Sequence, residues 1–338
     1  MDDMTEPRSG PRMRDVARAA GVSAMSVSRV LREPALVSPE LRARVEAAVR
    51  EVGYVPNRLA GSLSSRRSEV VGLVVPSLEN SLFAATVKGI SDVLRRAGFQ
   101  LMIADSGYGP EAEEAAIRAF LGQRVAGLIL HDTLHTEGTV QMIRRAGVPV
   151  VENGTLTETP LDMVVSYSNR EAARAMTRHL ARLGYRRIAL VTLPAGVNAR
   201  SRDRRLGFQE ALAELGLPLD PRWMLEMPPG LASGAEAVAR LMEGEAPDAI
   251  FFAGDVLAAG ALLECQRRGW AVPGRVAIAA FDNVDLLAHM NPPVTTLHLP
   301  RHEIGTRSAQ MLLDRLARRQ SGPATVDLRF EIIQRAST

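Results

Sequence analysis

Cysteine is nearly absent: Cys265 stands alone in 338 residues. A single thiol excludes a disulfide within the chain, so the fold is expected to rest on packing and to suit a reducing compartment, the cytoplasm. Lysine is as scarce, with Lys88 the only one among 41 basic residues. Aromatic residues make up 4% of the chain, so its cores must be built from Ala, Val and Leu. No apolar run approaches the roughly 20 residues of a membrane span. The N-terminal stretch joins no basic segment to an apolar one, so neither an export signal nor a membrane partner is expected. Also missing are a G-x-G-x-x-G after a strand, a P-loop and a G-x-S-x-G elbow, which argues against an enzyme and against a nucleotide cofactor. His131 and His135 stand four apart, but Asp132 and Thr133 between them read as loop. The two rings need not converge there, and no metal site is expected.

What is present is uneven. A chain of this length is expected to fold as two or three units. Net charge is only +3, yet residues 12–67 hold eleven Arg against five Asp or Glu, while the chain from Glu69 onward is close to neutral. A basic head on a neutral body points the head at a polyanion.

Within that head, Asp15 to Ala20 reads as a short helix ending at Gly21, the residue that most easily takes a left-handed conformation. Ser23 then stands where an N-cap belongs, and Val27, Val30 and Leu31 fall on one side of the helix that follows. Helix, tight glycine turn and second helix make the helix-turn-helix pattern, whose second helix lies in the DNA major groove. Ser38-Pro39 opens a third helix, with Leu41, Val45, Ala48, Val49 and Val52 as its apolar stripe and Gly53 as its stop. The outer face of the second helix carries Ser23, Ala24, Met25, Ser26, Ser28 and Arg29. Serine hydroxyls can hold phosphates, Arg29 can reach the acceptor edge of a guanine, and Ala24 and Met25 can touch thymine methyls. A helical hairpin with a merely solvated face would share this spacing.

The strings DVARAAGVSAMSVSRVL and VSPELRARVEAAVREVGYVPNRLAGSL resemble the lactose-repressor (LacI/GalR) family of bacterial transcription regulators, and the resemblance runs through nearly the whole chain from Arg12. It implies a helix-turn-helix domain at 12–52 and a hinge at 53–68 that folds on operator DNA. Asn57, Arg58 and Leu63 would lie at the DNA, with Leu63 as a wedge between base steps in the minor groove. The hinge is a Ser/Gly/Arg linker, so its ordering is expected to draw on binding energy. Family members pair on two-fold operators, so a homodimer on a pseudo-palindromic duplex is implied, with a tetramer left open.

The body alternates strand-like runs such as VVGLVVP, QLMIAD, AGLILH and VPVVEN with amphipathic stretches, and a second series follows: DMVVSY, RRIALVT, AIFFAG and VAIAAFD. The fold class is therefore α/β: two doubly wound lobes of parallel sheet facing one another across a cleft. The resemblance makes this a periplasmic-binding-protein-like core. Its expected limits are 69–162 plus about 295–323 for the first lobe and 163–291 plus about 324–338 for the second.

Ligands of such sheets sit beyond the carboxyl ends of the strands. There lie Ser77, Asn80 and Phe83 after the first strand, Asp255 after AIFFAG and Asp282 after VAIAAF. The resemblance implies that Arg204, three residues before Gly207-Phe208, binds the effector and that Asp282 binds sugar hydroxyls. Asp255 could equally cap its helix and Phe83 could be core, while Arg200, Arg202 and Arg205 read as a solvated loop face. Gly254 departs from the asparagine usual in the family, which removes one hydroxyl partner. Further strings, among them VVPSLENSLFA and HTEGTVQMIRRAGVPVVE, resemble the gluconate-operon repressor branch. The expected function is a transcriptional repressor controlled by gluconate or a related sugar acid. A neutral sugar or a nucleoside, acting as inducer or co-repressor, is the alternative, and a sugar-binding protein without a regulatory role a more distant one.

Overall fold

The computed structural model describes residues 10–55, 68–80 and 82–338. The chain separates into two compact units at the junction of Ser68 and Glu69. The expected hinge residues Asn57, Arg58 and Leu63 fall outside the described residues.

The first unit holds α1 (Met13–Ala19), α2 (Ala24–Arg32) and α3 (Pro39–Val52). Gly21, at φ 61°, makes the turn between α1 and α2. Ser23 Oγ accepts the backbone N–H of Ser26 at 3.1 Å and so caps α2. Ser38 Oγ caps α3 through Leu41 N at 3.3 Å, and Gly53 ends it in the left-handed region at φ 67°. Val16, Ala17, Ala20, Val27, Val30, Val45 and Ala48 bury one shared core drawn from the three helices.

The second unit contains two six-stranded sheets. The first is built from β1 (Val70–Val75), β2 (Gln100–Asp105), β3 (Gly127–Leu130), β4 (Val150–Glu152), β5 (Met163–Ser166) and β11 (Ala324–Asp327), in the order β11-β5-β4-β3-β1-β2, all parallel. The second comprises β6 (Ile188–Thr192), β7 (Met224–Glu226), β8 (Ala249–Phe252), β9 (Ala277–Phe281), β10 (Thr295–His298) and β12 (Glu331–Ile333). Its order is β12-β10-β9-β8-β6-β7; among the described residues β12 runs antiparallel, against β10, and the other pairs are parallel. A single apolar cluster runs through both lobes, from Val71 and Val165 to Phe251 and Leu297.

The lobe limits differ from those expected at three strands. Residues 163–166 belong to the first sheet, because β5 pairs with β4 and β11. Residues 295–298 extend the second sheet beside β9, and residues 324–327 return to the first. The chain thus crosses between lobes after β5, after β10 and after β11. The physical reason is that such strands read as continuous apolar runs whose sheet membership is decided by long-range pairing, which no local pattern encodes.

Helices cover both sheets. In the first lobe, α4 (Leu82–Arg96) packs on the late helix α12 (Arg301–Leu316). Gly89 and Gly305 make that contact possible: a Cβ on Gly89 would stand 2.3 Å from His302 O, and one on Gly305 2.1 Å from Thr86 O. In the second lobe, α7 (Asn169–Arg182) and α8 (Ala199–Glu214) touch at Gly207, where a Cβ would meet Arg170 O at 1.9 Å. These approaches bring Arg301, Asn169 and Arg204, at or near the starts of their helices, to the crossovers between the lobes.

Candidate functional site: a DNA-reading helix and a cleft of buried arginines

On α2 the apolar positions Val27 and Val30 are buried, which turns Ser23, Ala24, Met25 and Arg29 to the surface. Met25 is 77% exposed, although burial would favour so large an apolar side chain. Ser26 and Ser28 are half-buried at the edge of that face. Arg14, Arg18, Arg29, Arg32, Arg42, Arg44 and Arg50 are all exposed, so the unit's cationic surplus lies on its surface. A capped helix with small side chains, one flexible apolar side chain and an arginine on its outer face suits a groove that must be both approached closely and read.

In the second unit, the carboxyl ends of β1, β3, β4, β8 and β9 supply the polar side chains. Ser77 follows β1 and accepts Glu79 N at 3.2 Å, and Asn80 Oδ1 accepts Leu82 N at 3.0 Å at the start of α4. Phe83 is buried and meets the His131 ring edge-on at 4.7 Å between centroids. Asp255 is the first residue of α10 (Asp255–Arg267), with Gly254 at the cap position, and it is 4% exposed. Burial, helped by the neighbouring charge of Asp282, pushes the Asp255 carboxyl up to about 6. Asp282 is buried at φ 72°, a left-handed conformation that a non-glycine residue holds only when its surroundings enforce it.

The Asp282 carboxylate is held by Arg301. Its Nε reaches Asp282 Oδ1 at 2.9 Å, and its Nη2 contacts both that oxygen and the Tyr167 hydroxyl, the latter at 3.2 Å. Burial works against the charge on Arg301, but Asp282 and Tyr167 more than restore it. Arg204 lies beside this pair. Its Nε donates to Asn169 Oδ1 at 2.8 Å, its Nη1 to Ala253 O at 2.8 Å, and its Nη2 approaches the Tyr167 hydroxyl at 3.4 Å. The guanidinium lies 3.6 Å from the centroid of the Phe281 ring. Burial lowers its pKa from the ordinary arginine value, yet no reachable pH removes its proton.

Arg200 differs from its expected place on a solvated loop. The helix begins at Ala199, one residue after its cap Asn198, so Arg200 sits in the first turn, 6% exposed. It crosses to the first lobe, donating to His131 O at 2.6 Å, with Asp132 Oδ2 at 3.5 Å. Thr155 Oγ1 donates to Asp203 at 2.7 Å, and Asn169 Nδ2 to Gly154 O at 2.7 Å, so three bonds join the lobes beside the cleft. His131 is buried, and that burial, followed by the charges of Arg200 and Arg301, holds its pKa well below the usual imidazole value. The ring is neutral at physiological pH. His135 points elsewhere, to Glu113 and Glu152, so the two histidines serve different places.

The structure therefore brings together Phe83, Arg204, Asp255 and Asp282 at the lobe junction and sets Ser77 and Asn80 on the adjoining loop. It adds His131, Asn153, Tyr167, Arg200 and Arg301. His131 and Asn153 end the runs GLILH and PVVEN, so the rule that a polar residue closing a buried strand faces the ligand would have found them. Arg301 has no such mark, because its position depends on how α12 docks.

Residues 12–57 match the family profile described as bacterial regulatory proteins, lacI family, and residues 177–338 match that of a periplasmic binding protein-like domain. Over 324 residues the chain is 38% identical to the HTH-type transcriptional regulator GntR of Escherichia coli strain K12, covering 95% of this chain and 97% of that protein. A LacI-family transcriptional regulator from Silicibacter pomeroyi has the same fold at a TM-score of 0.88 and 35% identity, over 97% of this chain and 99% of the other. The lac repressor dimer bound to operator and the anti-inducer ONPF matches at a TM-score of 0.83 and 26% identity, over 97% and 99% of the two chains. The helix-turn-helix unit, the two-lobed cleft and these likenesses agree: the chain belongs to the lacI family of bacterial transcriptional regulators, DNA-binding repressors that carry an effector-binding domain.

Proposed function

We propose that the protein represses transcription as a homodimer on a pseudo-palindromic operator and that a sugar acid, gluconate or a close relative, controls its grip. The observation that carries the effector class is the charge of the cleft. Arg200, Arg204 and Arg301 are all buried there, against Asp132, 3.5 Å from Arg200, and the buried aspartates Asp255 and Asp282. Asp282 is committed to Arg301, and burial opposes the charge on Asp255. Arg204 has no carboxylate partner among the described residues, a buried guanidinium so placed favours an anion, and a planar fork suits the two oxygens of a carboxylate. Ser77, Asn80, Asp255 and Asp282 supply acceptors and donors for polyol hydroxyls, with Phe83 as an apolar wall and Arg204 at the floor. The resemblance to the gluconate-operon branch supports the same class.

Ser23, Ala24, Met25, Ser26, Ser28 and Arg29 read the operator, with Asn57, Arg58 and Leu63 assigned to the hinge by resemblance. A dimer surface is available on the first lobe. The edge strand β2 leaves Met102 and Ile103 each 39% exposed, as an unpartnered strand in a soluble monomer rarely does. Closure of the lobes on a sugar acid would shift the paired first lobes and so spoil the spacing of the two DNA-reading units.

The test is operator titration with and without gluconate. Operator affinity should fall when gluconate is added, and unchanged affinity across a panel of sugar acids would remove the effector claim. A companion variant, Arg29→Ala, should cost about 1–3 kcal/mol at the preferred operator and relax base preference at one position of each half-site. Equal loss on all sequences would reduce Arg29 to a phosphate contact.

A further inference from the structure

In a cleft built for a ligand, saturated side chains hold the frame and unsatisfied ones receive the guest. Arg204 is nearer the first kind: each of its three nitrogens has a partner within the protein, which leaves one further N–H on each terminal nitrogen. Arg301 is of the second. Asp282 and Tyr167 fix its Nε and Nη2, but its Nη1 is buried with no partner among the described residues. Two other side chains have unpartnered atoms among the described residues, His131 at Nε2 and the fully buried Asn153 at both amide atoms, although Asn153 lies near enough to the His131 ring to favour its charge. An unmade hydrogen bond at a buried polar group is costly, most of all at a charged one, and folded proteins keep such groups where something else completes them.

These groups occupy one small volume. A Cβ on Gly154, next to Asn153, would lie 3.4 Å from His131 Nε2 and 3.2 Å from Arg200 Nη1. The charge of Arg301 acts on the same His131 ring. The set therefore offers a rigid cation with two free N–H groups, a neutral imidazole nitrogen and a carboxamide that both donates and accepts. That is the complement of a carboxylate next to a hydroxyl-bearing carbon.

We infer that Arg301, held by Asp282 and Tyr167, is the receptor for the effector's carboxylate, with Asn153 and His131 reading the adjoining hydroxyls and Arg204 framing the pocket from below. This inference rests on the sugar-acid reading above and adds to it the residue that separates acids from neutral polyols. Asp282 in this arrangement is the anchor of the cation as much as a hydroxyl partner.

Calorimetric titration of the full-length protein with gluconate and with glucitol, the uncharged polyol of the same length, tests it. Wild type should prefer gluconate. The double variant Arg301→Gln, Asp282→Asn avoids stranding a lone buried carboxylate. It should lose on the order of 10- to 100-fold in gluconate affinity, the range of one charge-assisted hydrogen bond, and its gluconate-over-glucitol ratio should fall toward one. Asn153→Ala should weaken both ligands in step, leaving the ratio near that of wild type. If circular dichroism shows the double variant unfolded, Arg301→Lys decides in its place, because it keeps the charge and loses the fork, and its ratio must also fall. A variant at position 301 that folds and keeps the wild-type ratio overturns the inference. Wild-type protein that binds glucitol but no sugar acid overturns instead the effector reading beneath it.

Discussion

At the scale of the residue, Asp255 is a group of the cleft whose charge changes within a physiological span. Burial and Asp282 raise its carboxyl to about 6, so it is mostly ionised at pH 7.5 and mostly protonated at pH 5. Protonation removes a negative charge from the wall of a cleft proposed to hold an anion, while gluconate itself stays ionised. Gluconate should therefore bind more tightly as pH falls through about 6, by several-fold at the effective dielectric of such sites. Calorimetry at pH 5.5 and 7.5 reads this directly, and Asp255→Asn should flatten the profile at the tighter limit. A wild-type profile without slope would place Asp255 away from the ligand. Much at this scale was legible in the sequence: polar residues closing apolar runs marked Asp255 and Asp282, and the family motif marked Arg204. Arg200 was not legible, because a stretch of NARSRDRR without apolar periodicity reads as loop. The structure makes it the start of a helix whose N-cap, Asn198 Oδ1, accepts Ser201 N at 3.2 Å. Where the helix begins decides which arginine turns inward.

At the scale of the element, the first lobe is tied by a buried triad that the cleft does not use. His135 Nδ1 lies 2.6 Å from Glu113 Oε1 on α5 (Pro110–Gly122), and its Nε2 lies 3.2 Å from Glu152 Oε1 on β4. Glu152 Oε2 in turn accepts Leu161 N at 2.5 Å, fixing the loop that leads to β5. Burial opposes a charge on His135, but the two carboxylates win and lift its pKa to about 10 from an unfolded value near 6.5. A group whose folded pKa is raised stabilises the fold fully below the unfolded value and loses that contribution as pH rises through the folded one. The first lobe should hence lose on the order of a few kcal/mol between pH about 6.5 and 10. Urea unfolding across that interval should show the decline, and His135→Gln should begin less stable and decline less. Equal slopes for both proteins would mean the triad is not ionised as drawn. Element identity was largely readable, since the periodicities of VVGLVVP and of the α4 segment are strong. Sheet membership was not: Met163, Val164 and Val165 are fully buried, and the same sequence would fit the middle of either sheet.

At the scale of the whole molecule, the three crossovers between the sheets are where the proposed effector would act. Tyr167, Arg301 and the Asn153–Thr155 segment lie on or beside the strands that pass between lobes, so a ligand bound among them acts on the joints rather than on one lobe alone. Arg200, Asn169 and Thr155 already span the gap with single hydrogen bonds, which can be exchanged for ligand contacts at small net cost. If the proposed clasp has two states, whatever biases it at one end is biased by it at the other. If gluconate lowers operator affinity by a given factor, then operator DNA must lower gluconate affinity by the same factor, expected to be about 5- to 150-fold. Gluconate titrations of the free protein and of the protein saturated with operator duplex measure the second factor, and operator titrations at zero and saturating gluconate measure the first. Both should respond to Arg200→Ala, which removes a joint bond without touching the DNA-reading helix: the two factors should shift together. Coupling that survived this change intact would mean that the lobes communicate by another route than the arginine joint, and the hydrogen bonds seen there would be packing alone.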